Sequence, residues 1–157
     1  MTDSYLLHDL IALSSRRKPD GTALSYAKQS MNYLELQQSI EGFVGGMLGL
    51  GLQRGERIAI YLEKRFETVI ASFGATATGC VFVPLNPLLK PDQVAYIMRD
   101  CNVRTLITSN ERLPLLAPVL EACPDLRHIV LTNADALPSA TSPVQLLRWE
   151  DLLSAPA

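Results

Sequence analysis

The stretch from Arg57 to Pro87, RIAIYLEKRFETVIASFGATATGCVFVPLNP, constrains the fold of this chain more than any other. Ile58, Ala59, Ile60, Tyr61 and Leu62 form an apolar run that predicts a largely buried strand over 57–62. Phe66, Val69, Ile70, Phe73 and Ala77 then recur at i, i+3, i+4, i+7 and i+11, one apolar stripe at helical spacing. Gly79 stands where a helix end wants a C-cap. Cys80 to Val83 is a second short apolar run, closed by Pro84, Asn86 and Pro87, which cannot continue a central strand and read as a loop. Two buried strands joined by a crossover of this length run parallel, and such crossovers are right-handed in nearly all cases.

The flanking sequence repeats the same grammar. Residues 5–17 predict a helix with Leu6, Leu7, Leu10, Ile11 and Leu13 on a wide apolar face, ended by Pro19 and Gly21. Thr22 to Ala27 and Ser30 to Asn32 predict a short hairpin turning at Lys28 and Gln29. Asn32 with Glu35 three positions on is a capping-box pattern, which starts a long helix at Tyr33 and carries it to about Leu50. Gly42, Gly45, Gly46 and Gly49 lie along one side of it. Each costs roughly 1 kcal/mol of helix propensity against alanine, a loss returned only by close backbone approach, so this helix is expected to lie tightly against a neighbour. A dinucleotide loop is the poorer use of these glycines, because Arg54 stands where that fingerprint needs glycine and the run ends a helix rather than opening one.

Pro91 and Asp92 suit a helix start, and Val94, Ile97, Met98 and Cys101 supply its stripe before Asn102 ends it. Val103 to Thr108 predicts a third strand and His128 to Thr132 a fourth. Between them Leu113, Leu116, Ala117 and Leu120 predict a helix made irregular or broken by Pro114 and Pro118. Asn133 to Pro143 loses all periodicity and reads as a surface loop; Val144 to Leu153 predicts a short helix anchored by Leu147 and Trp149. The expected fold is α/β: a mostly parallel sheet with helices on both faces, plus a short amino-terminal hairpin, in one domain over residues 1–157.

Charge and composition exclude several functions. With 157 residues the chain can bury roughly 68–70% of its unfolded surface, enough for a real core without disulfides. A formal net charge of -2 leaves no basic footprint for nucleic acid, and the run Arg16, Arg17, Lys18 sits where it favours a helix C-terminus. No apolar run approaches the ~18 residues of a membrane span, and the amino terminus lacks the basic region of a secretory signal. Cys80, Cys101 and Cys123 are odd in number and form no CxxC pair, so they read as reduced packing residues of a cytoplasmic protein.

Ligands of a doubly covered parallel sheet bind outside the carboxyl ends of its strands. Those ends are Glu63 to Arg65, Pro84 to Leu89, Ser109 to Arg112 and Asn133 to Asp135. Glu63 reads as a solvated charge rather than a general base, and Ser109 with Asn110 as an ordinary cap rather than a phosphate cradle. His8 and His128 have no partners at metal-ligand spacing. GxSxG and GxxxxGK[ST] are absent from the sequence, so no residue set points to catalysis.

Specific words now add to this pattern. The opening YLEL at Tyr33 to Leu36, GLQRGERIA at Gly51 to Ala59, the run ending in PLNP at Pro84 to Pro87, and DCNVRTLIT at Asp100 to Thr108 follow one another in order. Together they resemble the amino-terminal portion of the adenylate-forming superfamily, the AMP-forming acyl-CoA synthetases, over roughly residues 5–132. YLEKRFETV at Tyr61 to Val69 and NPLLKPDQVAYIMRDCNVR at Asn86 to Arg104 are similar to the acyl-CoA ligases associated with exosortase systems.

The resemblance implies a two-step ligase using ATP, magnesium and coenzyme A: a small carboxylic acid attacks ATP to give an acyl-adenylate and pyrophosphate, and the thiol then displaces AMP. It also implies that the phosphate loop, the adenine and ribose motifs and the catalytic lysine of the carboxy-terminal lid come after Ala157. No catalytic residue of the family therefore maps onto this chain, which is expected to be an inactive amino-terminal fragment whose main partner is the remainder of its own polypeptide. No cofactor is expected to bind these residues alone. In relatives the helix after the third strand opens near the nucleotide end of coenzyme A, sometimes through arginine, and Arg112 is the nearest equivalent here, set against a plain exposed charge. Two other readings stay open: a naturally short binding module with the same scaffold, exposing a large apolar surface or burying it by dimerising, and an unrelated flavodoxin-like nucleotide or flavin domain.

Overall fold

The computed structural model describes residues 6–138 and 144–154. Its centre is a five-stranded sheet in the order β4-β3-β5-β6-β7, parallel at each pairing. The strands are β3 (Arg57–Tyr61), β4 (Val81–Pro84), β5 (Val103–Ser109), β6 (His128–Thr132) and β7 (Gln145–Arg148). A two-stranded antiparallel hairpin, β1 (Thr22–Tyr26) and β2 (Gln29–Asn32), stands apart from this sheet. The α/β class, the parallel sheet and the hairpin are as the sequence predicts.

Two apolar clusters, one on each face, hold the sheet. On one face α1 (Asp9–Arg17), α2 (Tyr33–Gly49), α3 (Phe66–Ala77) and α6 (Trp149–Ser154) pack Ile11, Phe43, Met47, Ile70 and Leu152 against Ile58, Ile60, Ile107 and Val130. On the other, α4 (Pro91–Asp100) and α5 (Leu113–Leu120) pack Val94, Met98 and Leu116 against Ala59, Tyr61, Leu106 and Leu131. Residues alternate between the clusters along β3, β6 and β7, as the period of two requires. Fully burying a side chain such as Phe43 or Leu116 contributes roughly 1.5–3 kcal/mol.

Local rules explain most boundaries. The capping box forms: Asn32 Oδ1 accepts from the Glu35 N–H at 2.8 Å, and the Asn32 N–H donates to Glu35 Oε1 at 3.0 Å. Gly79 follows α3 with φ +78°, the left-handed conformation that a helix end needs. Pro114 stands in the first turn of α5, where its missing N–H costs nothing.

Five expectations are corrected. Residues 145–148 form a strand, because Leu146 and Leu147 point to opposite clusters and Gln145 to Arg148 continue the sheet beside β6; the helix starts only at Trp149. The first helix starts at Asp9. Leu6 lies in a turn, where its N–H donates to the Asp9 carboxylate, and Leu6, Leu7 and Leu10 are exposed, leaving Ile11 as the buried anchor; residue 5 lies outside the described residues. The hairpin turns at Ala27 and Lys28, both at positive φ, rather than at Lys28 and Gln29. Pro84 belongs to β4, paired with Ile60, which proline tolerates because β4 is an edge strand. Finally, α5 is one continuous helix that holds Pro118 in its interior. Residues 139–143 of the expected loop lie outside the described residues.

Candidate functional site

The order of connections decides where a ligand site belongs. From β3 the chain goes through α3 to β4 on one side; from β5 it goes through α5 to β6 on the other, and α3 and α5 cover opposite faces. The loops leaving β3 and β5 therefore diverge, and a crevice opens beyond their carboxyl ends, the usual binding place of such sheets.

That crevice has a volume of about 690 Å³ and is lined by Tyr26, Glu63, Arg65, Ser109, Glu111, Arg112, Leu115 and Asn133. Each charged side chain is placed by a loop that follows a strand or opens a helix. Arg65, just before α3, is already committed: its Nε donates to Glu67 Oε2 at 2.7 Å, and its Nη2 to Asn133 Oδ1 at 2.9 Å. Asn133 reaches it from a left-handed backbone position, φ 59°, at the end of β6. Ser109 Oγ accepts from the Arg112 N–H at 3.3 Å, shaping the short turn into α5.

Arg112 lies differently. Its guanidinium stacks 4.6 Å above the Tyr61 ring, and Nη1 donates to the Pro87 carbonyl at 3.0 Å. Its Nε is buried, has no hydrogen bond, and sits 4.0 Å from Glu63 Oε1. The Tyr61 hydroxyl in turn donates to the Leu89 carbonyl at 2.6 Å. Arg112 and Tyr61 thus pin the loop after β4 from two sides. Beneath that loop runs a mainly apolar groove of about 490 Å³, whose lining includes Ile60, Leu62, Lys64, Thr68 and Leu85 to Leu88.

Chemically the crevice offers two cations, Arg65 and Arg112, each with donors left over, and no His or Cys among its described lining residues. His8 stands just before α1 beside Asp9, and His128 opens β6 at the far end of the sheet; neither lines the crevice. Among the described residues no three His, Cys, Asp or Glu side chains gather as a metal site. Sequence reasoning placed Glu63, Arg65, Ser109, Arg112 and Asn133 at strand ends. It missed Tyr26, which reaches the crevice because the hairpin docks on α3 with the Tyr26 and Phe66 rings 6.4 Å apart, a tertiary contact without local signal.

Residues 11–151 match the model of the family described as AMP-binding enzyme. The chain belongs to that family. As a family member it is 27% identical over 125 residues to bacitracin synthase 1 of Bacillus licheniformis, which spans 79% of this chain and 2% of that protein. It is 32% identical over 109 residues to a crotonobetaine/carnitine–CoA ligase of Escherichia coli O157:H7, covering 69% of this chain and 21% of the ligase. Among solved structures, the anthranilate CoA ligase AuaEII in complex with anthranoyl-AMP superposes with a TM-score of 0.85 at 27% identity, covering 98% of this chain and 28% of that one. The chain therefore spans a small part, from 2% to about a quarter, of these relatives' length.

Proposed function

We propose that this chain is the amino-terminal part of an AMP-forming acyl-CoA ligase, the enzyme class in which a carboxylate and ATP give an acyl-adenylate and pyrophosphate before the thiol of coenzyme A displaces AMP. One observation carries the reading: the family match runs through the strand ends and loops that build the switch-point crevice. In that enzyme these residues form the floor and one wall of the ligand crevice. Arg112 presents its free donors to a phosphate at the nucleotide end of coenzyme A, while Tyr61 and the Pro87 carbonyl fix its guanidinium beforehand. The wording of Tyr61 to Val69 and Asn86 to Arg104 favours the exosortase-associated ligases as the subfamily.

No step of the chemistry is assigned to a side chain of this chain, and magnesium is given no ligand from it. The remainder of the polypeptide supplies the phosphate loop and the lid, and its packing covers the exposed Leu88, at 88% accessibility. No described helix is long and apolar enough to cross a membrane; we place the ligase in the cytoplasm.

A sample of these 157 residues mixed with ATP and a panel of carboxylic acids is expected to release no pyrophosphate. The polypeptide extended to the length of its relatives is expected to do so. In that longer enzyme Arg112→Ala raises KM for coenzyme A by about tenfold, the loss of one charge-assisted contact, with the adenylation rate unchanged. Pyrophosphate release by the short chain would end the inactive-fragment reading; an unchanged KM would leave Arg112 a plain structural charge. The alternative, a naturally short interaction module, is favoured if the exposed apolar residues drive stable dimerisation of the chain, read by sedimentation.

A further inference from the structure

At the opposite end of the sheet a smaller cleft, of about 180 Å³, opens between the carboxyl end of α2 and the amino-terminal ends of β5 and β6. Its charged lining consists of Glu56, Arg104, Arg127 and His128. The backbone sets the two arginines side by side, since the Arg127 N–H donates to the Arg104 carbonyl at 2.8 Å. Arg127 uses Nη1 on the carbonyls of Pro124 and Leu126, at 2.8 and 3.1 Å, leaving Nε and Nη2 available. The Arg104 guanidinium makes no hydrogen bond or ion pair with any described residue, and Glu56 forms an ion pair with neither arginine.

Behind this cleft two buried polar atoms lack partners: Thr105 Oγ1, on a residue with 0% exposure, and His128 Nδ1. Thr105 and His128 are register partners across β5 and β6. A buried polar group without a partner costs about 1–3 kcal/mol, so this register position is a polar spot in the wall behind the cleft. Burial holds the His128 imidazole below its ordinary pKa, Glu56 opposing and Arg127 reinforcing the shift. The ring is then neutral at pH 7.5.

We propose that this cleft binds a phosphate-type oxyanion, gripped by Arg104 and Arg127 and bordered by His128. Two guanidinium groups against one carboxylate leave the lining positive, and their planar forks match tetrahedral oxyanions in bidentate fashion. At about 180 Å³ the space holds such an ion with a few waters, and is smaller than the roughly 300 Å³ at which organic-ligand pockets begin. The competing use of the arginines is to neutralise Glu56 and the negative end of α2. That use is not made in the structure, where no ion pair joins Glu56 to either arginine.

The test is a titration of the labelled chain with inorganic phosphate at pH 7.5 and constant ionic strength, made up with chloride, following the His128 ring and the Arg104 and Arg127 Nε–H resonances. Saturable shifts with one shared dissociation constant are expected, weakened at least about tenfold by Arg104→Gln. Arg127→Gln, an exposed site, is the second variant and is expected to weaken binding similarly; Arg16→Gln on α1 is expected to change nothing. Linear drift without saturation, binding by both cleft variants as tight as by the parent chain, or an equal response to acetate would overturn the proposal.

Discussion

The guanidinium of Arg112 lies 4.6 Å above the ring of Tyr61 while its Nη1 donates to the Pro87 carbonyl, so a strand end, a helix start and the loop after β4 meet at one aromatic ring. Tyr61 is 5% exposed, and its hydroxyl holds the same loop again at Leu89. Tyr61→Phe removes only that second hold and is expected to cost about 1 kcal/mol. Tyr61→Leu also removes the surface under the guanidinium and leaves a void, costing about 2–4 kcal/mol. Urea unfolding measures both; equal costs would mean that the ring does not hold Arg112.

His128 makes stability depend on pH in a definite direction. Burial is the main cause that lowers its folded-state pKa below the ordinary value of 6.5. The unfolded chain therefore binds the proton more readily, and acid favours unfolding. The contribution of His128 is complete above about pH 6.5 and is lost as pH falls from there toward the lowered folded value. Melting temperatures compared between pH 7.5 and pH 5.5 are expected to fall less for His128→Gln than for the parent chain. An equal fall in both would show that carboxylates alone set the acid response.

The three thiols are expected to separate kinetically. Burial raises the pKa of Cys80 and of Cys123, and both point at backbone carbonyls, of Gln53 at 3.6 Å and Ala95 at 3.7 Å. Cys101, at the end of α4, is partly exposed. A chromogenic disulfide reagent at pH 7.5 is expected to modify Cys101 first, with Cys80 and Cys123 following only as the chain opens. Mass spectrometry of the labelled peptides checks the order. Cys80 or Cys123 reacting as fast as Cys101 would mean that their cover is not closed.

The strand–helix–strand unit at Arg57 to Pro87 was legible because its signals are local: an apolar run, a 3.6-residue stripe and a glycine at the helix end. The crevice was legible only as a set of strand ends, since which loops diverge depends on strand order, and order is set by contacts far apart in sequence. Gln145 to Arg148 was misread because four residues show too little period to separate strand from helix; the neighbouring β6 decided it. The cleft around Arg104 and His128 had no sequence signal, because its residues come from the ends of α2, β5 and β6 and from just before β3. The glycine stripe of α2 was read correctly as a packing surface, yet only half of it is used.

That split makes the sharpest test of how α2 is held. A side chain added at Gly46 would collide with the carbonyl and side chain of Leu152, and one at Gly42 would come within 2.9 Å of the Leu153 carbonyl. At Gly45 a methyl group meets nothing within 4 Å. Gly46→Ala should push α6 off α2 at a cost of about 1–3 kcal/mol, the usual range for overpacking. Gly45→Ala should instead stabilise α2 by up to about 1 kcal/mol through helix propensity. Trp149 reports the difference, because it is 6% exposed and lies 5.7 Å from Phe43 in the layer that α6 closes. Its emission is expected to shift to the red in Gly46→Ala and to stay unchanged in Gly45→Ala. A Gly46→Ala variant with the parent's emission and melting temperature would show that α6 does not rest in the groove at Gly42 and Gly46.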